Sequence, residues 1–375
     1  MVTWTKQKFG DVVELHYGKG LSKNNRIDGT YPVFGSSGCI GFHNNFLIDG
    51  PGIIIGRKGS VGEVYFSKQN FFPIDTVYFI KNHPEKYNLK FLYFLLKILN
   101  LKRLTGDTGV PGLNRDVAYK ENIILPDLPT QQKIADLLSV YDDLIENNER
   151  RIKILEETAQ RLYTEWFVKF NLPAEVLTKA GFPDGKLKMI DSGTEYGIIP
   201  EGWEITKLGN KIKIRKGKNI TKGTITHGVV PVIAGGLNAA YYHNKVNTKW
   251  PVVTISASGA NAGFVNLHYE DVWASDCSYI DSNVTRNVYF HYLYLKNKNK
   301  EIKNLQRGAA QPHVYPKDLM TLSIIDYPEA LIDNFQREVN KLFVLIGNVK
   351  NKNRVLTKIR DLLISQIITG KRALK

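Results

Sequence analysis

The sequence predicts an α+β protein: two duplicated, mixed α/β blocks separated by an antiparallel two-helix coiled coil, with a pseudo-two-fold internal repeat. Three observations carry this expectation. A heptad seam runs through residues 130–169, a second seam of equal length follows residue 328, and residues 1–169 can be laid over 200–370.

The first seam has no Pro or Gly. Ile134, Leu138, Tyr141, Ile145, Ile152, Leu155, Ala159, Leu162 and Trp166 follow alternating steps of 4 and 3, interrupted only by Asn148. That 3.5-residue period describes a coiled-coil seam better than a surface helix. In the second seam Phe335, Val339, Leu342, Ile346, Val349, Asn353, Leu356, Arg360, Leu363 and Ile367 repeat the spacing, again with one Asn. Facing Asn148 with Asn353 in an antiparallel pair makes paired numbers sum to 501. Ten layers then match, among them Ile134 with Ile367, Tyr141 with Arg360, Ile152 with Val349 and Trp166 with Phe335. A buried Asn pair weakens such a coil but sets its register. Asn148, Asn353, Tyr141 and Arg360 are therefore the expected register residues. The alternative is two separate amphipathic helices packed on other things.

The repeat has an offset that drifts from 199 to 201. Trp4, Gly10, Gly18, Lys19 and Pro32 fall on Trp203, Gly209, Gly217, Lys218 and Pro231. Gly35, His43, Asn44, Pro51 and Ile55 fall on Gly235, His243, Asn244, Pro251 and Ile255, and Gly62, Asp75 and Pro111 on Gly263, Asp276 and Pro312. One unit of block plus helix has been duplicated.

Within the blocks, Gly52–Ile55, Val252–Ile255 and Val77–Ile80 read as buried strands, with turns at Gly35–Gly38 and Gly59–Gly62. Tyr87–Leu99 and Phe290–Lys296 read as helices. The expected boundaries are 1–128 for the first block, 129–170 for the first helix and 171–199 for an irregular connector rich in Pro and Gly. The second block follows at 200–327, the second helix at 328–370 and a frayed tail at 371–375.

At 375 residues and 43% hydrophobic content there is core enough for two or three domains. The N-terminal residues run directly into polar sequence without a signal peptide, and the longest apolar run, Phe91–Leu99, contains Lys97 and is too short for a membrane span. Only Cys39 and Cys277 are present, without a CxxC, which points to a reducing cytoplasm. The net charge of +15 is uneven. Residues 1–128 carry 16 Lys and Arg against 11 Asp and Glu, 171–328 carry 19 against 13, and 329–375 carry 10 against 4, whereas 130–169 carry 6 against 8. The basic excess lies on the blocks and the final helix, so a polyanion is the leading partner.

Several segments together resemble the specificity subunit of type I restriction-modification enzymes. They are Leu128-Pro129-Thr130-Gln131-Gln132-Lys133-Ile134 entering the first helix, Leu162-Tyr163-Thr164-Glu165-Trp166-Phe167 leaving it, Pro200-Glu201-Gly202-Trp203 opening the second block, and Leu362–Gly370. The resemblance covers essentially the whole chain. It implies that each block is a target recognition domain reading one half of a bipartite, asymmetric site in double-stranded DNA. It also implies that the helices set the spacer and dock two methylation subunits, with restriction subunits joining the full complex. One departure is that the second helix opens with Pro328-Glu329-Ala330-Leu331 in place of a Pro-x-Gln-Gln entry.

Catalytic motifs are absent. No two prolines are adjacent, so the Asn-Pro-Pro-aromatic motif of amino-group DNA methylases cannot occur, and there is no GxxxxGK[ST]. The only E-x-K is Glu301-Ile302-Lys303, and the eight His lack metal spacing. His43 and His243 recur at one repeat position and read as turn or core residues. A non-catalytic chain with no cofactor and no metal is expected.

DNA contacts are expected from glycine-bearing loops, where backbone can approach closely, Arg reads guanine and Asn reads adenine. The candidates are Ser36 and Ser37 with their counterpart Asn238; Arg57, Lys58 and Ser60 with Ser258 and Asn261; and Thr108 and Asn114 with Arg307, Gln311 and His313. The last pair of segments resembles a recurring stretch of these recognition domains that lies beside DNA. Arg215, Lys216 and Lys218 are expected on phosphate. Ten seam layers span roughly 50 Å at about 1.5 Å per residue, which places both half-sites within a turn or so of each other on one face of the duplex. The alternative function is a two-domain coiled-coil protein-interaction scaffold, against which the charge distribution argues.

Overall fold

The computed structural model describes residues 3–105, 112–308 and 311–370. Thr108 and the tail at 371–375 lie outside the described residues. The chain forms two compact units, one built from residues up to Asn148 together with those from Lys352 onward, the other from Glu149–Asn351.

In the first unit the order is β1 (Thr5–Lys8), α1 (Phe9–Val12), β2 (His16–Tyr17), β3 (Tyr31–Gly35), β4 (Gly38–His43), β5 (Gly52–Gly56), β6 (Val64–Ser67), β7 (Phe72–Pro73), β8 (Val77–Ile80), α2 (Leu89–Ile98), α3 (Arg115–Tyr119) and β9 (Asn122–Leu125). The long helix α4 (Leu128–Phe167) follows, then α5 (Ala174–Lys179), β10 (Met189–Asp191) and β11 (Ile198–Pro200). The second block comprises β12 (Ile205–Lys207), α6 (Leu208–Lys211), β13 (Arg215–Lys216), β14 (Val230–Ile233), β15 (Tyr241–His243), β16 (Val252–Ser256), β17 (Val265–His268), β18 (Trp273–Ala274), β19 (Cys277–Asp281), α7 (Val288–Asn297), α8 (Asn299–Asn304), α9 (Pro316–Leu319) and β20 (Ser323–Ile325). The helix α10 (Glu329–Ile367) closes the described chain.

The two blocks have one topology. Each holds a four-stranded sheet, β2-β8-β5-β6 or β13-β19-β16-β17. Each adds a three-stranded sheet, β4-β3-β7 or β15-β14-β18, and a two-stranded pair, β1-β9 or β12-β20. The duplication read from sequence is thus a duplication of fold. The central strands β5 and β16 are buried along their whole length, as the unbroken β-branched runs require. Gly18 and Gly217 mark a shared close approach. A Cβ at Gly18 would sit 2.0 Å from the Ile74 carbonyl oxygen, and at Gly217 2.2 Å from that of Ser275, so only glycine fits. His43 and His243 are buried, each with Nδ1 on the backbone of the segment before the neighbouring strand, at Ile27 before β3 and Thr226 before β14. These are structural roles.

Some boundaries differ from expectation, for local reasons. α2 begins at Leu89 because Asn88 caps it, its Oδ1 accepting from the Phe91 amide at 2.9 Å. The pairing of Asp75 with Asp276 shifts by one residue: the amide of Arg57 donates to the Thr76 carbonyl, and the equivalent amide of Ala257 to that of Asp276. The turn after β18 is accordingly one residue shorter than the turn after β7. Residues 171–199 are not irregular throughout. They contain α5 and the β10-β11 hairpin, and the rings of Phe170 and Phe182 pack 5.9 and 6.3 Å from Trp203.

All ten seam positions of each long helix are buried or half-buried. In the first unit Asn148 Nδ2 donates to Asn353 Oδ1 at 2.7 Å, and Asn353 Nδ2 to the Ile145 carbonyl at 3.3 Å. In the second unit the Trp166 and Phe335 rings pack at a tilt of 58° with centroids 5.5 Å apart. Both pairs sum to 501, so the antiparallel register holds in each unit. Within that register Arg360 also finds a charge-assisted partner beside its layer, its Nη1 donating to Asp142 Oδ1 at 2.8 Å.

Each block packs on its portions of the helices. Ile134, Ala135, Leu138, Ile364, Ile367 and Ile368 join the first core, with Phe91, Leu92 and Ile53. Ala159, Tyr163, Trp166, Phe167, Phe335, Val339 and Ile346 join the second, with Phe290 and Val253. The Gln-Gln helix entry is a tie. Gln131 Nε2 donates to the Pro126 carbonyl, Gln131 Oε1 accepts from the Asn88 amide, and Gln132 Oε1 accepts from Asn88 Nδ2.

Candidate nucleic-acid interface

In the first unit three loops that are distant in sequence meet at one end of the four-stranded sheet. The Leu113 amide donates to the Arg57 carbonyl at 2.9 Å, Lys58 bridges Gly112, and Ser36 Oγ lies 3.1 Å from where a Cβ on Gly59 would stand. Ser37 and Ser60 line a shared open hollow of about 630 Å³ with Glu63, Tyr65, Lys102 and Thr105. Gly59, with φ of +79°, gives the loop its left-handed turn.

Arg57 is half-buried, its Nε and Nη2 both donating to the Asp75 carbonyl oxygen at 3.3 and 2.6 Å. Its guanidinium carbon lies 5.3 Å from the Tyr17 ring centroid and 5.8 Å from that of Tyr78. Burial foremost, and the Tyr17 hydroxyl next, push the Tyr78 phenol up to about 12. It stays neutral and donates to the Leu113 carbonyl at 3.1 Å. The exposed Asn114 also has a structural role, its Oδ1 capping α3 by accepting from the amides of Asp116 and Val117.

The second unit builds the same junction with other side chains. The Val314 amide donates to the Ala257 carbonyl, Ser258 bridges His313, and Arg307 bridges His313. The Gly235 carbonyl accepts from Ser256 Oγ at 3.0 Å and from Asn261 Nδ2 at 3.4 Å. Ser258 Oγ donates to Asp276 Oδ2, and Arg307 Nη2 donates to the buried carboxylate of Asp318 at 2.6 Å. These contacts orient Ser258 and Arg307 within the protein. Asn238 and Gln311 are exposed, and the Gln311 carbonyl accepts from His313 Nδ1 at 2.7 Å. Arg215 and Lys216 form the exposed strand β13 at the sheet edge, and the exposed Lys218 follows it.

The structure therefore brings together Ser36, Ser37, Arg57, Lys58, Ser60 and Asn114 in one unit, and Ser258, Asn261, Arg307, Gln311 and His313 in the other. Sequence reasoning missed Tyr17 and Arg115, which flank Arg57 in space. The one available signal was that Tyr17 aligns with a cation, Lys216, in the repeat. Among the described residues, no group of three or more His, Cys, Asp or Glu is placed to hold a metal ion. No helix among them is long and apolar enough to cross a membrane.

Residues 1–157 and 200–330 match the model of the type I restriction modification DNA specificity domain. The MjaIX specificity subunit of Methanocaldococcus jannaschii is 26% identical over 85% of this chain and 77% of its own length. The HindI specificity subunit of Haemophilus influenzae is 24% identical over 69% of this chain and 71% of its own. The crystal structure of a type I restriction-modification S subunit from M. genitalium superposes with a TM-score of 0.60 at 20% identity, covering 97% of this chain and 95% of that one, which supports the fold. The repeated block, the paired helices and the two matched segments establish that this chain belongs to the type I restriction-modification DNA specificity family.

Proposed function

We propose that this chain is the non-catalytic DNA-specificity subunit of a type I restriction-modification enzyme. Each block reads one half of a bipartite, asymmetric target in double-stranded DNA. The observation that carries this reading is the junction built twice on one backbone with different side chains: Arg57 and Lys58 in one copy stand where Ala257 and Ser258 stand in the other. One scaffold with two surfaces suits two different half-sites. The boundaries 1–128 and 200–327 delimit the recognition domains, with spacer helices at 129–170 and 328–370. Ser36, Ser37, Ser60, Asn238, Asn261 and Gln311 supply polar loop contacts, and Arg215, Lys216 and Lys218 sit on phosphate.

The helices carry two methylation subunits, and restriction subunits join through them. Exposed apolar side chains beside the seam support this. In the first unit Val140, Leu144, Val355, Ile359 and Leu362 are each at least 40% exposed, on heptad positions flanking one side of the seam. The other side is occupied by the block, through Lys68 on Asp143 and Glu146. Ile154 and Leu345 continue the pattern in the second unit. The sparse cysteines support a cytoplasmic location.

The test is to map modified bases in DNA from cells carrying this chain with its methylation subunits. A single asymmetric, bipartite motif is expected, with affinity of the complex falling steeply with log salt. Methyl transfer by the purified chain alone, or no motif in the assembled system, would overturn the proposal.

A further inference from the structure

The two blocks keep one backbone around the loop junction and exchange the side chains above it. The strand pairings His16 with Phe79 and Arg215 with Tyr279 place Tyr17 and Tyr78 of the first block on Lys216 and Ser278 of the second. The matching amide-to-carbonyl bonds at Leu113 and Val314 place Arg57 on Ala257 and Arg115 on Pro316. A cluster of two arginines and two tyrosines thus stands where the copy has one lysine, an alanine, a serine and a proline. Since the fold is the same without it, the cluster is not needed to hold the backbone.

Its geometry is that of a braced pair of cations. The Arg57 and Arg115 guanidinium carbons each lie 5.3 Å from the Tyr17 ring centroid, and Arg115 is also 5.9 Å from that of Tyr119. Tyr17 is 51% exposed, so the group faces solvent. Among the described residues neither arginine has a carboxylate in salt-bridge range. Among those residues Arg57 bonds only a neutral carbonyl, and Arg115 Nε is shielded from solvent with no hydrogen-bond partner. Aromatic faces hold both planes, and no carboxylate among the described residues neutralises their charge.

We propose that Arg57 and Arg115, braced on Tyr17, form one specificity-determining centre that reads guanine in the half-site of the first block, and that the second block reads its half-site without an arginine at this place. This deepens the DNA-specificity reading and rests on it. A planar, pre-oriented guanidinium matches guanine O6 and N7 through two parallel N–H donors, whereas a phosphate contact requires only charge.

The experiment uses the complete complex with its methylation subunits and compares Arg115→Ala, Arg115→Lys, Arg57→Lys and Tyr17→Leu with the wild type. Modified-base mapping and a salt titration of DNA binding are the readouts, and thermal unfolding confirms that each variant is folded. A guanine contact predicts that Arg115→Lys behaves like Arg115→Ala. Discrimination at one G·C pair of one half-site falls by about 5- to 150-fold, and the other half-site is unchanged. Tyr17→Leu gives the same relaxation more weakly. The proposal is overturned if Arg115→Lys matches wild type while Arg115→Ala weakens all sequences alike with a salt slope lower by about 1, since that is a phosphate contact. Relaxation in both half-sites also overturns it. A wild-type complex without any motif would instead remove the DNA-specificity reading beneath it.

Discussion

Replacing Asn148 or Asn353 by leucine isolates the polar layer of the coil. Asn148 is 4% exposed and its amide donates to Asn353 at 2.7 Å, so this bond is made in a largely desolvated layer. Asn148→Leu leaves Asn353 Oδ1 facing a hydrocarbon, while Asn353 Nδ2 keeps its 3.3 Å bond to the Ile145 carbonyl. An unsatisfied polar group there costs about 1–3 kcal/mol, partly offset by burying the new side chain. In the double variant both amides are gone and a leucine pair fills the layer, so stability returns to or above wild type. The coupling between the two sites is therefore about 1–3 kcal/mol, with the double change less destabilising than the sum of the singles. Urea denaturation of the four proteins measures it. Register is followed by disulfide crosslinking of cysteines placed at 152 and 349, which forms efficiently in wild type and less cleanly in the double variant. Additive single effects, or failure of the wild-type crosslink, would refute the pairing.

Other perturbations test separate parts of the argument. Phe167 packs 4.8–4.9 Å from the rings of Tyr327, Phe290 and Phe335, so Phe167→Ala is expected to destabilise the second unit by about 3–5 kcal/mol in the same denaturation assay. Gln131→Leu strands the Asn88 amide and the Pro126 carbonyl and should cost about 1–3 kcal/mol for each, read as a lower unfolding midpoint. Ile359→Glu with Leu362→Glu changes only exposed positions, so the isolated chain should unfold as before while assembly with methylation subunits, followed by size-exclusion chromatography, is lost. Burial holds His291 at about 3, well below its ordinary 6.5. The unfolded chain therefore binds the extra proton first, and stability is full above pH 6.5 and declines as pH falls toward 3. His291→Leu should flatten that part of the pH–stability curve. Inserting one heptad in each long helix should lengthen the DNA spacer and leave the half-site bases unchanged, as modified-base mapping would report.

Much of the architecture was legible because it rests on periodicity, which is local. Alternating steps of 4 and 3 force a seam onto one side of each helix, and the single Asn in each seam selects one antiparallel register among several. Glycines at shared positions revealed the duplication because close approaches such as Gly18 on Ile74 tolerate no side chain. Tertiary structure decided what periodicity cannot reach. The connector is ordered because Phe170 and Phe182 find Trp203, a contact invisible in a segment rich in Pro and Gly. Spacing could not show that the Asn114 side chain caps a helix or that Arg307 pairs with buried Asp318. The Arg360 guanidinium pairs with Asp142, beside its layer, a charge contact that heptad counting does not specify.

By itself, then, the sequence determined two copies of one block, two matched helices and where the positive charge lies, all properties of spacing and composition. Only the fold could bring Tyr17, Arg57 and Arg115 onto one surface. They come from a strand, a loop and the first turn of a helix far apart in the chain, and side-chain chemistry converges on a site only after the sheet has closed.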